Sequence, residues 1–337
     1  MMASAAIVLL NWNGWRDTLE CLESVYQLDH DSFSVIVVDN ASTDGSREHI
    51  LSWPGAQSPV SIIQRMQQHE WQILDENDLP DGHEPMQPGG RFFIQASHNG
   101  GFAFGNNLGI RYALAAGCDY VWLLNNDTVV DPGALSALIH RTCSDPRIGM
   151  CGSLLRFFDE PEKVQAVGGV RFRYWLARGE QLGQGLRFDD PAVTEIAKSE
   201  PDYISGASML VTRDFLRTVG LMEEGYFLYF EEIDWAMRAR PRWALATAGD
   251  SVVYHKEGAA IGTASRGRRS ALSQYYLTRN LLRFYAKRLP AMWPIAIART
   301  IRVVISQLVN RDWELAGVTI KAAKAAVAGE SGKSTRL

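Results

Sequence analysis

The chain has 337 residues, of which 46% are hydrophobic and 21% are charged, a composition ordinary for a globular protein. Its formal net charge of −4 argues against general nucleic-acid binding, although basic residues outnumber acidic ones from Lys256 onward. The four cysteines show no CxxC spacing and the N-terminus lacks a basic leader, so we expect a reduced, cytoplasmic protein. No uninterrupted apolar run reaches about 18 residues, so we expect no spanning helix.

Strands and helices are predicted to alternate along the first part of the chain. Residues 5–10 and 34–38 are apolar runs typical of buried strands, and residues 15–27 between them have apolar positions at helical spacing. This succession indicates an α/β protein whose mostly parallel sheet has right-handed crossovers. Residues 54–90, rich in proline and glutamine, are predicted to be a surface insertion with short strands at 60–63 and 71–74.

The middle of the chain continues the α/β pattern. The expected strands are 91–96, 120–124, 148–153, 203–212 with a break at Gly206, and 251–254; the expected helices begin near 103–107, 132, 214 and 231. Residues 157–197 are predicted to be loop-rich and to cover the cleft.

The C-terminal part is predicted to be helical over residues 270–328, with a polar, disordered tail at 329–337. The tail contains GESGKST, which ends like a phosphate-binding loop but lacks its first glycine and its preceding strand. The helices are either a soluble appendage or a basic amphipathic surface that rests on an anionic membrane, and their composition slightly favours the membrane.

Polar side chains follow three predicted strands where each strand ends. These are Asn11 with Asn13, Asp39 with Asn40, and Asn125 with Asn126 and Asp127. The carboxyl edge of an α/β sheet is where ligands bind, and Asp127 is a suitable oxygen ligand for a divalent cation that also contacts phosphate oxygens. The alternative is structural, with Asn/Asp turns at the strand ends and Asp39 in a turn or helix cap.

Three acids fall within four residues, Glu231, Glu232 and Asp234, next to several aromatic residues. Crowding among aromatic rings would raise the pKa of at least one acid, as a general base requires, whereas one of the three is expected to stabilise a helix N-terminus. His255 follows a strand and could bind a metal through a ring nitrogen.

Two small-residue segments are further candidates. Asn99, Gly105 and Asn106 belong to a Gly/Asn-rich turn whose N–H groups could approach a diphosphate, or which is only a tight turn. Gly206 and Ala207 have little bulk, so an acceptor could lie close to them and to Glu231, unless the glycine marks a plain bulge.

The sequence resembles family 2 glycosyltransferases, and its rhamnosyltransferase-like branch in particular. The motifs that carry the resemblance occur over roughly residues 4–290, in this order: LLNWNGW, VVDNASTDGS, NGGFAFGNNLGI, WLLNNDT, ISGASMLV, YFLYFEEIDWAMRA and VVYHKEGAAIG. The resemblance implies a GT-A fold with a C-terminal helical extension, a nucleotide-sugar donor, a divalent metal and inversion at the anomeric carbon.

The resemblance also implies roles for single residues. Asp39 is similar to the acid that contacts the nucleoside, and Asn125 and Asp127 fill the metal and diphosphate motif, which usually has two acids. Glu232 stands where the family usually has an aspartate as catalytic base, with Asp234 as the other candidate. His255 resembles a histidine that completes the metal or diphosphate site.

The function predicted from these features is transfer of rhamnose or another hexose from a dTDP- or UDP-sugar, with Mg²⁺ or Mn²⁺, to a glycan or lipid-linked acceptor in cell-surface polysaccharide synthesis. Residues 1–130 would bind the nucleotide sugar and 131–265 the acceptor, and residues 266–328 would contact the inner face of the cell membrane. The alternatives are a non-catalytic glycan- or nucleotide-binding relative and a nucleotidyltransferase. Homo-oligomerisation is left open.

Overall fold

The structure is a computed structural model that describes residues 4–54, 70–77, 86–256 and 269–334. The strands are β1 (Ala5–Asn11), β2 (Phe33–Asp39), β3 (Trp71–Asp75), β4 (Arg91–Gln95), β5 (Tyr120–Asn125), β6 (Thr128–Val130), β7 (Ile148–Phe157), β8 (Val164–Val167), β9 (Gly169–Arg173), β10 (Arg178–Gln181), β11 (Tyr203–Ile204), β12 (Ser208–Thr212) and β13 (Ala244–His255). The helices are α1 (Trp15–Val25), α2 (Ser46–Leu51), α3 (Phe102–Ala115), α4 (Ala134–Cys143), α5 (Pro191–Ala197), α6 (Arg213–Val219), α7 (Glu231–Ala239), α8 (Ala271–Arg288), α9 (Trp293–Val309) and α10 (Trp313–Val327).

A mixed, mostly parallel sheet forms the centre of the molecule. Its strand order is β3-β4-β2-β1-β5-β12-β7-β13-β6, and β8 pairs with β7. Strand β1 lies between β2 and β5 and is parallel to both. Side chains alternate between the two sheet faces, so Ile7 packs under α1 and α4 while Val8 packs under α3. The prediction of an α/β sheet flanked by helices, with a helical C-terminal region, is confirmed.

The register of the sheet brings the predicted polar strand ends to one edge. Leu10 is opposite Asn125 across β1 and β5, and Asn11 is opposite Asp39 across β1 and β2. Strand β12 is antiparallel to β5, so its N-terminal end lies at this same edge. Strand β13 reaches the edge as well, because His255 pairs with Thr128 in β6.

The prediction that residues 157–197 are loop-rich is wrong. They contain β8, β9, β10 and α5, and β9 pairs with β10 and β11 in a second, three-stranded sheet. The glycines that suggested loops allow close backbone approach, since a Cβ at Gly169 would overlap the carbonyl oxygen of Tyr203. The single strand predicted for 203–212 is two strands that belong to different sheets. The strand predicted at 60–63 lies outside the described residues.

Three helices, α8 to α10, pack against one another after the sheet. In the part of the chain that is described, one segment, Pro290–Val309, has the length and composition of a membrane span, with 20 residues and a mean hydropathy of 1.3. Arg299 and Arg302 interrupt the apolar residues of this segment, and the expectation that the protein has no spanning helix stays a prediction. Ala296 and Thr300 of this segment are buried inside the protein.

The tail was predicted to be disordered, but its described part, up to Ser334, packs on α8. Tyr275 donates a hydrogen bond to Glu330 over 2.7 Å, and Arg279 donates one to the carbonyl oxygen of Gly332 over 2.8 Å. The hydroxyl of Tyr276 accepts a hydrogen bond from the backbone N–H of Ser334 at 2.9 Å. Buried groups on α8 thus fix a segment whose polar composition suggested mobility.

Candidate active site

A cavity of about 1400 Å³ opens at the polar edge of the sheet. The loops after β1, β2 and β5 form one wall, and β9, β10, α7, α8 and α9 contribute to the others. Of the residues predicted from the sequence, those that line it are Asn99, Asn125, Asn126, Asp127, Gly206, Ala207, Glu231, Glu232 and His255.

Asp39 and Asn11 lie behind the cavity wall rather than in its lining. Asn11 donates a hydrogen bond to Asp39 over 2.7 Å, and Ser42 and Gln95 also donate to this carboxylate. Both Asp39 oxygens are thus used to hold neighbouring loops together. These contacts make Asp39 an organiser of the nucleotide-side loops, and the direct nucleoside contact that the resemblance implied stays a prediction. Asn13 lies at the exposed rim, where it accepts a hydrogen bond from the N–H of Thr43.

The Gly/Asn-rich turn is held by its own side chains. Asn40 donates hydrogen bonds to the side-chain oxygen of Asn99 and to the carbonyl of Gly101. The prediction that Gly105 and Asn106 bind the donor is wrong. A Cβ at Gly105 would overlap the side chain of Leu10, so this glycine allows α3 to pack on β1, and Asn106 is buried and donates to the carbonyl of Phe102.

Asp127 and His255 face each other at the sheet edge. His255 Nε2 lies 3.2 Å from Asp127 Oδ1, and this buried nitrogen makes no hydrogen bond in the described structure. His255 Nδ1 lies 3.0 Å from Gln165 Oε1, which favours the tautomer with the proton on Nδ1. With this tautomer an imidazole lone pair and a carboxylate oxygen face one another, and either a proton on Nε2 or a divalent cation between the two atoms would remove the repulsion. The donor set therefore fits a divalent cation that takes its other ligands from phosphate oxygens and water.

Glu232 is the carboxylate that stands out chemically. A Cβ on Gly206 would overlap Oε1 of Glu232, so a larger residue at this position would push the carboxylate out of its present place. Burial raises the pKa of Glu232 to about 7. Burial, and then the charge of Glu232, raises the pKa of Glu231 well above its usual value. A carboxylate that titrates near neutral pH in a cavity is suited to accept a proton from a hydroxyl group.

Asp234 is not a catalytic residue in this structure. Its side chain is fully buried, and it is paired with Arg238 at 3.1 Å and with Arg288 at 2.7 Å. Tyr226 donates a third hydrogen bond to it. These partners lower the pKa of Asp234 in spite of its burial. Asp234 therefore joins α7 to α8 through ion pairs, a structural role that differs from the stabilisation of a helix N-terminus expected for one of the three acids.

The turn that presents the two glutamates has an uncommon backbone. Phe227, Tyr229 and Phe230 have φ values of 68°, 67° and 78°, which are rare for aromatic residues. Asn280 on α8 donates hydrogen bonds to the carbonyls on this turn, at 2.9 Å from Tyr226 and 2.7 Å from Leu228. Backbone strain of this kind persists where surrounding contacts enforce it, often at functional sites.

Sequence reasoning missed two supporting residues, Gln165 and Asn280. Gln165 lies in the segment that was interpreted as loop, so the strand that carries it was not predicted. Asn280 lies in the segment predicted to be helical, and that prediction did not indicate that its side chain reaches a turn more than 50 residues earlier. For Asn280, the available signal was a polar residue on an otherwise apolar helix face.

The sequence matches the family model for glycosyl transferase family 2 over residues 6–73 and 77–196. A hexosyltransferase of low-salt glycan biosynthesis from Haloferax volcanii is 28% identical over 155 residues, covering 44% of this chain and 46% of that protein. An N-acetylglucosaminyl-diphospho-decaprenol L-rhamnosyltransferase from Mycobacterium tuberculosis is 25% identical over 190 residues, covering 55% of this chain and 60% of that protein. The chain thus spans about half the length of the curated relatives it matches.

Two solved structures share the fold. The first, a mannosyltransferase from Pyrobaculum calidifontis in complex with GDP-Man and Mn²⁺, has a TM-score of 0.52 at 14% identity. The match covers 96% of this chain and 86% of the mannosyltransferase chain. The second structure, GalNAc-T7 with UDP, GalNAc and Mn²⁺, has a TM-score of 0.55 at 14% identity. The match covers 85% of this chain and 50% of the GalNAc-T7 chain. The predicted GT-A fold is confirmed by these neighbours.

Proposed function

The chain belongs to glycosyl transferase family 2, and we propose that it transfers a hexose such as rhamnose from a dTDP- or UDP-sugar to a glycan or lipid-linked acceptor, with inversion at the anomeric carbon. The observation that carries the proposal is that Glu232, Asp127 and His255 line one cavity. The names of the hexosyltransferase and rhamnosyltransferase relatives support the sugar class.

In the proposed reaction Glu232 accepts the proton of the acceptor hydroxyl as that oxygen attacks the anomeric carbon. The new C–O bond forms on the face opposite the leaving nucleoside diphosphate, whose bond to the sugar breaks, so the configuration inverts. Gly206 and Ala207 leave space beside Glu232 for the attacking hydroxyl. The positioned carboxylate contributes by general base catalysis.

Asp127 and His255 would hold Mg²⁺ or Mn²⁺, with Asn125 beside them at the cavity wall. A bound cation would offset the negative charge of the leaving diphosphate. Gln165 holds His255 in the orientation that this role requires. In this proposal residues 1–130 bind the nucleotide sugar, and residues 131–265 provide most of the acceptor site.

A donor screen tests the proposed function directly. The purified chain is incubated with dTDP-rhamnose and a panel of UDP- and GDP-hexoses, each with Mn²⁺, Mg²⁺ or a chelator, and release of nucleoside diphosphate is measured. We expect turnover of one donor class that depends on the cation and rises when a polyprenyl-diphosphate-linked sugar is added. A complete lack of turnover with every donor, with and without acceptor, would contradict the proposal.

We also propose that α9 and α10 rest on the inner face of the cell membrane, which makes the protein cytoplasmic and peripheral. An apolar groove of about 580 Å³ lies between these helices, and large apolar side chains are exposed around it. Ile301, Ile305 and Val309 are 54%, 55% and 76% exposed at spacings of four residues on one face of α9. Basic residues on the same helices, such as Arg302 and Lys324, complement anionic lipids.

Replacing both Ile305 and Val309 with glutamate is expected to weaken sedimentation with phosphatidylglycerol vesicles by about tenfold or more, because apolar burial is lost and negative charge is added. Glu195 and Asp214 are exposed and lie away from this face. Replacing them with glutamine and asparagine provides a control for general charge effects. Equal sedimentation of the wild type and the Ile305/Val309 variant would refute membrane contact through α9.

A further inference from the structure

Arginines from three separate parts of the chain gather at the mouth of the cavity. Arg178 begins β10, Arg269 precedes α8 and Arg299 lies on α9, and all three line the cavity. Arg302 lies one turn further along α9. The turn Tyr174–Leu176, just before Arg178, packs against α9. The fold therefore brings these guanidinium groups together from distant positions in the sequence.

These arginines have no anionic partner among the described residues. No ion pair or side-chain hydrogen bond there involves Arg178, Arg269 or Arg299, although most other arginines in the described structure have one. Glu180, the nearest acid on β10, is paired with Arg173 at 3.3 Å instead. Burial, followed by the charges of Arg302, Arg178 and Arg269, lowers the pKa of Arg299. Clustered cations without counter-charges are unfavourable in the free protein and favourable when an anion binds between them.

The cluster is linked to Glu232 through β10 and β11, because Tyr203 in β11 lies beside Arg178 and β11 packs on α7, the helix that begins with Glu231 and Glu232. Next to Arg178, a Cβ at Gly179 would lie 3.1 Å from the hydroxyl of Tyr203. Tyr203 is in turn close to Glu232, because burial and then the Glu232 charge raise the pKa of Tyr203. An anion bound by these arginines would therefore be part of the acceptor rather than the leaving diphosphate of the donor.

The surroundings of the cluster are apolar and exposed. Trp175 and Leu176, just before Arg178, are 77% and 59% exposed. On α9, helical geometry of about 100° per residue places Arg302 along the flank of the exposed stripe that contains Ile301 and Ile305, whereas Arg299 points away from the stripe and lines the cavity. A basic rim beside exposed aromatic and aliphatic side chains suits a ligand with an anionic head and a hydrocarbon chain.

We propose that Arg178, Arg269 and Arg299 bind the phosphate or diphosphate group of a lipid-linked acceptor, whose hydrocarbon chain lies over Trp175, Leu176 and the apolar face of α9. The inference rests on the proposed glycosyl transfer and specifies the acceptor class. Guanidinium groups can bind two phosphate oxygens at once, which would fix the distance between the lipid phosphate and the acceptor hydroxyl at Glu232.

The test compares farnesyl diphosphate with farnesol as soluble probes of the full chain. We expect the wild type to bind farnesyl diphosphate at least about tenfold more tightly than farnesol, since charge-assisted hydrogen bonds are worth that much or more. The double variant Arg178→Gln/Arg299→Gln should lose this preference. Arg217→Gln, which removes the same charge from an exposed position on α6, should keep it.

Two further measurements separate the alternatives. Affinity for UDP or dTDP with Mn²⁺, and hydrolysis of the donor without acceptor, should be the same in the double variant and the wild type. Loss of nucleotide affinity in that variant would assign the arginines to the donor and overturn the inference. Failure of the transferase proposal would appear differently, as a wild type that hydrolyses no donor.

The remaining source of an anion is the bulk membrane. Binding to phosphatidylcholine vesicles with and without phosphatidylglycerol distinguishes lipid headgroups from the acceptor diphosphate. If the arginines bound headgroups, the arginine variants would lose affinity for the vesicles that contain phosphatidylglycerol. If the variants lost phosphatidylglycerol-dependent binding and the wild type showed no preference for farnesyl diphosphate over farnesol, the inference would be wrong. Retained vesicle binding together with a lost diphosphate preference would support it.

Discussion

Replacing Glu232 with glutamine is expected to lower kcat for sugar transfer by about 10²–10⁴-fold, the usual contribution of a positioned general base. Glutamine keeps the size of the side chain but cannot accept the proton of the acceptor hydroxyl. Affinity for the nucleoside diphosphate should stay unchanged, because Glu232 lies on the acceptor side of the cavity. Initial rates at saturating donor and acceptor, together with titration calorimetry of the nucleotide, measure both effects.

The pH dependence gives the same variant a second readout. Since burial raises the pKa of Glu232 to about 7, wild-type kcat should rise with pH through this value as the base loses its proton, and the residual rate of the variant should lack this step. Stability should respond in the opposite direction. The folded protein holds a proton that the unfolded chain releases near the ordinary glutamate pKa of 4.5, so the free energy of unfolding falls as pH rises from there to about 7. In alkaline buffer the glutamine variant should be at least as stable as the wild type.

Glu195→Gln is the matched control, because it makes the same exchange on the exposed surface of α5 and should change neither kcat nor stability appreciably. If Glu232→Gln transferred sugar at the wild-type rate, Glu232 would not be the base. A wild type that turned over no donor would instead favour a non-catalytic binding role for the cavity.

The convergence of the polar strand ends could be predicted because it follows from local patterns and from the geometry of parallel sheets. Apolar runs that end in Asn11, Asp39 and Asn125 must place their tips at one edge once the strands are parallel. Local patterns alone do not predict the contact between His255 and Asp127. It depends on the antiparallel register of β13 with β6, two strands separated by more than 100 residues.

The wrong predictions at Gly105 and Asp234, and the structural role that Asp39 has beside its predicted one, share a physical cause. In each case the residue type suits the predicted role, but a residue distant in the sequence already contacts it. Gln95 donates a hydrogen bond to Asp39, Leu10 packs on Gly105, and Arg288 forms an ion pair with Asp234. A sequence shows which chemistry a side chain can perform, and tertiary packing decides whether that side chain is free to perform it. Glu232 keeps its capacity because its neighbours are Gly206 and aromatic groups rather than a cation.

Replacing Asp127 with asparagine is expected to lower kcat/KM for the donor by about 10²-fold or more, since a cation that stabilises the leaving diphosphate is worth several kcal/mol. Asparagine preserves the shape of the side chain but removes the negative charge that faces His255 Nε2. The effect should be visible without turnover. In the wild type, Mn²⁺ should tighten binding of the nucleoside diphosphate, and in the variant this tightening should be lost while binding in the presence of a chelator stays similar.

Asp214→Asn makes the same exchange at an exposed position on α6 and should leave the Mn²⁺ effect intact. Gln165→Ala should fall between the two, with a loss of about 10–100-fold, because Gln165 only orients His255. This order follows from the contacts. Asp127 supplies the negative charge that would bind the cation, Gln165 only orients His255, and Asp214 does neither. Equal Mn²⁺ dependence in the Asp127→Asn variant and the wild type would place the cation elsewhere, and the tight approach of Asp127 to His255 would then be only a structural contact.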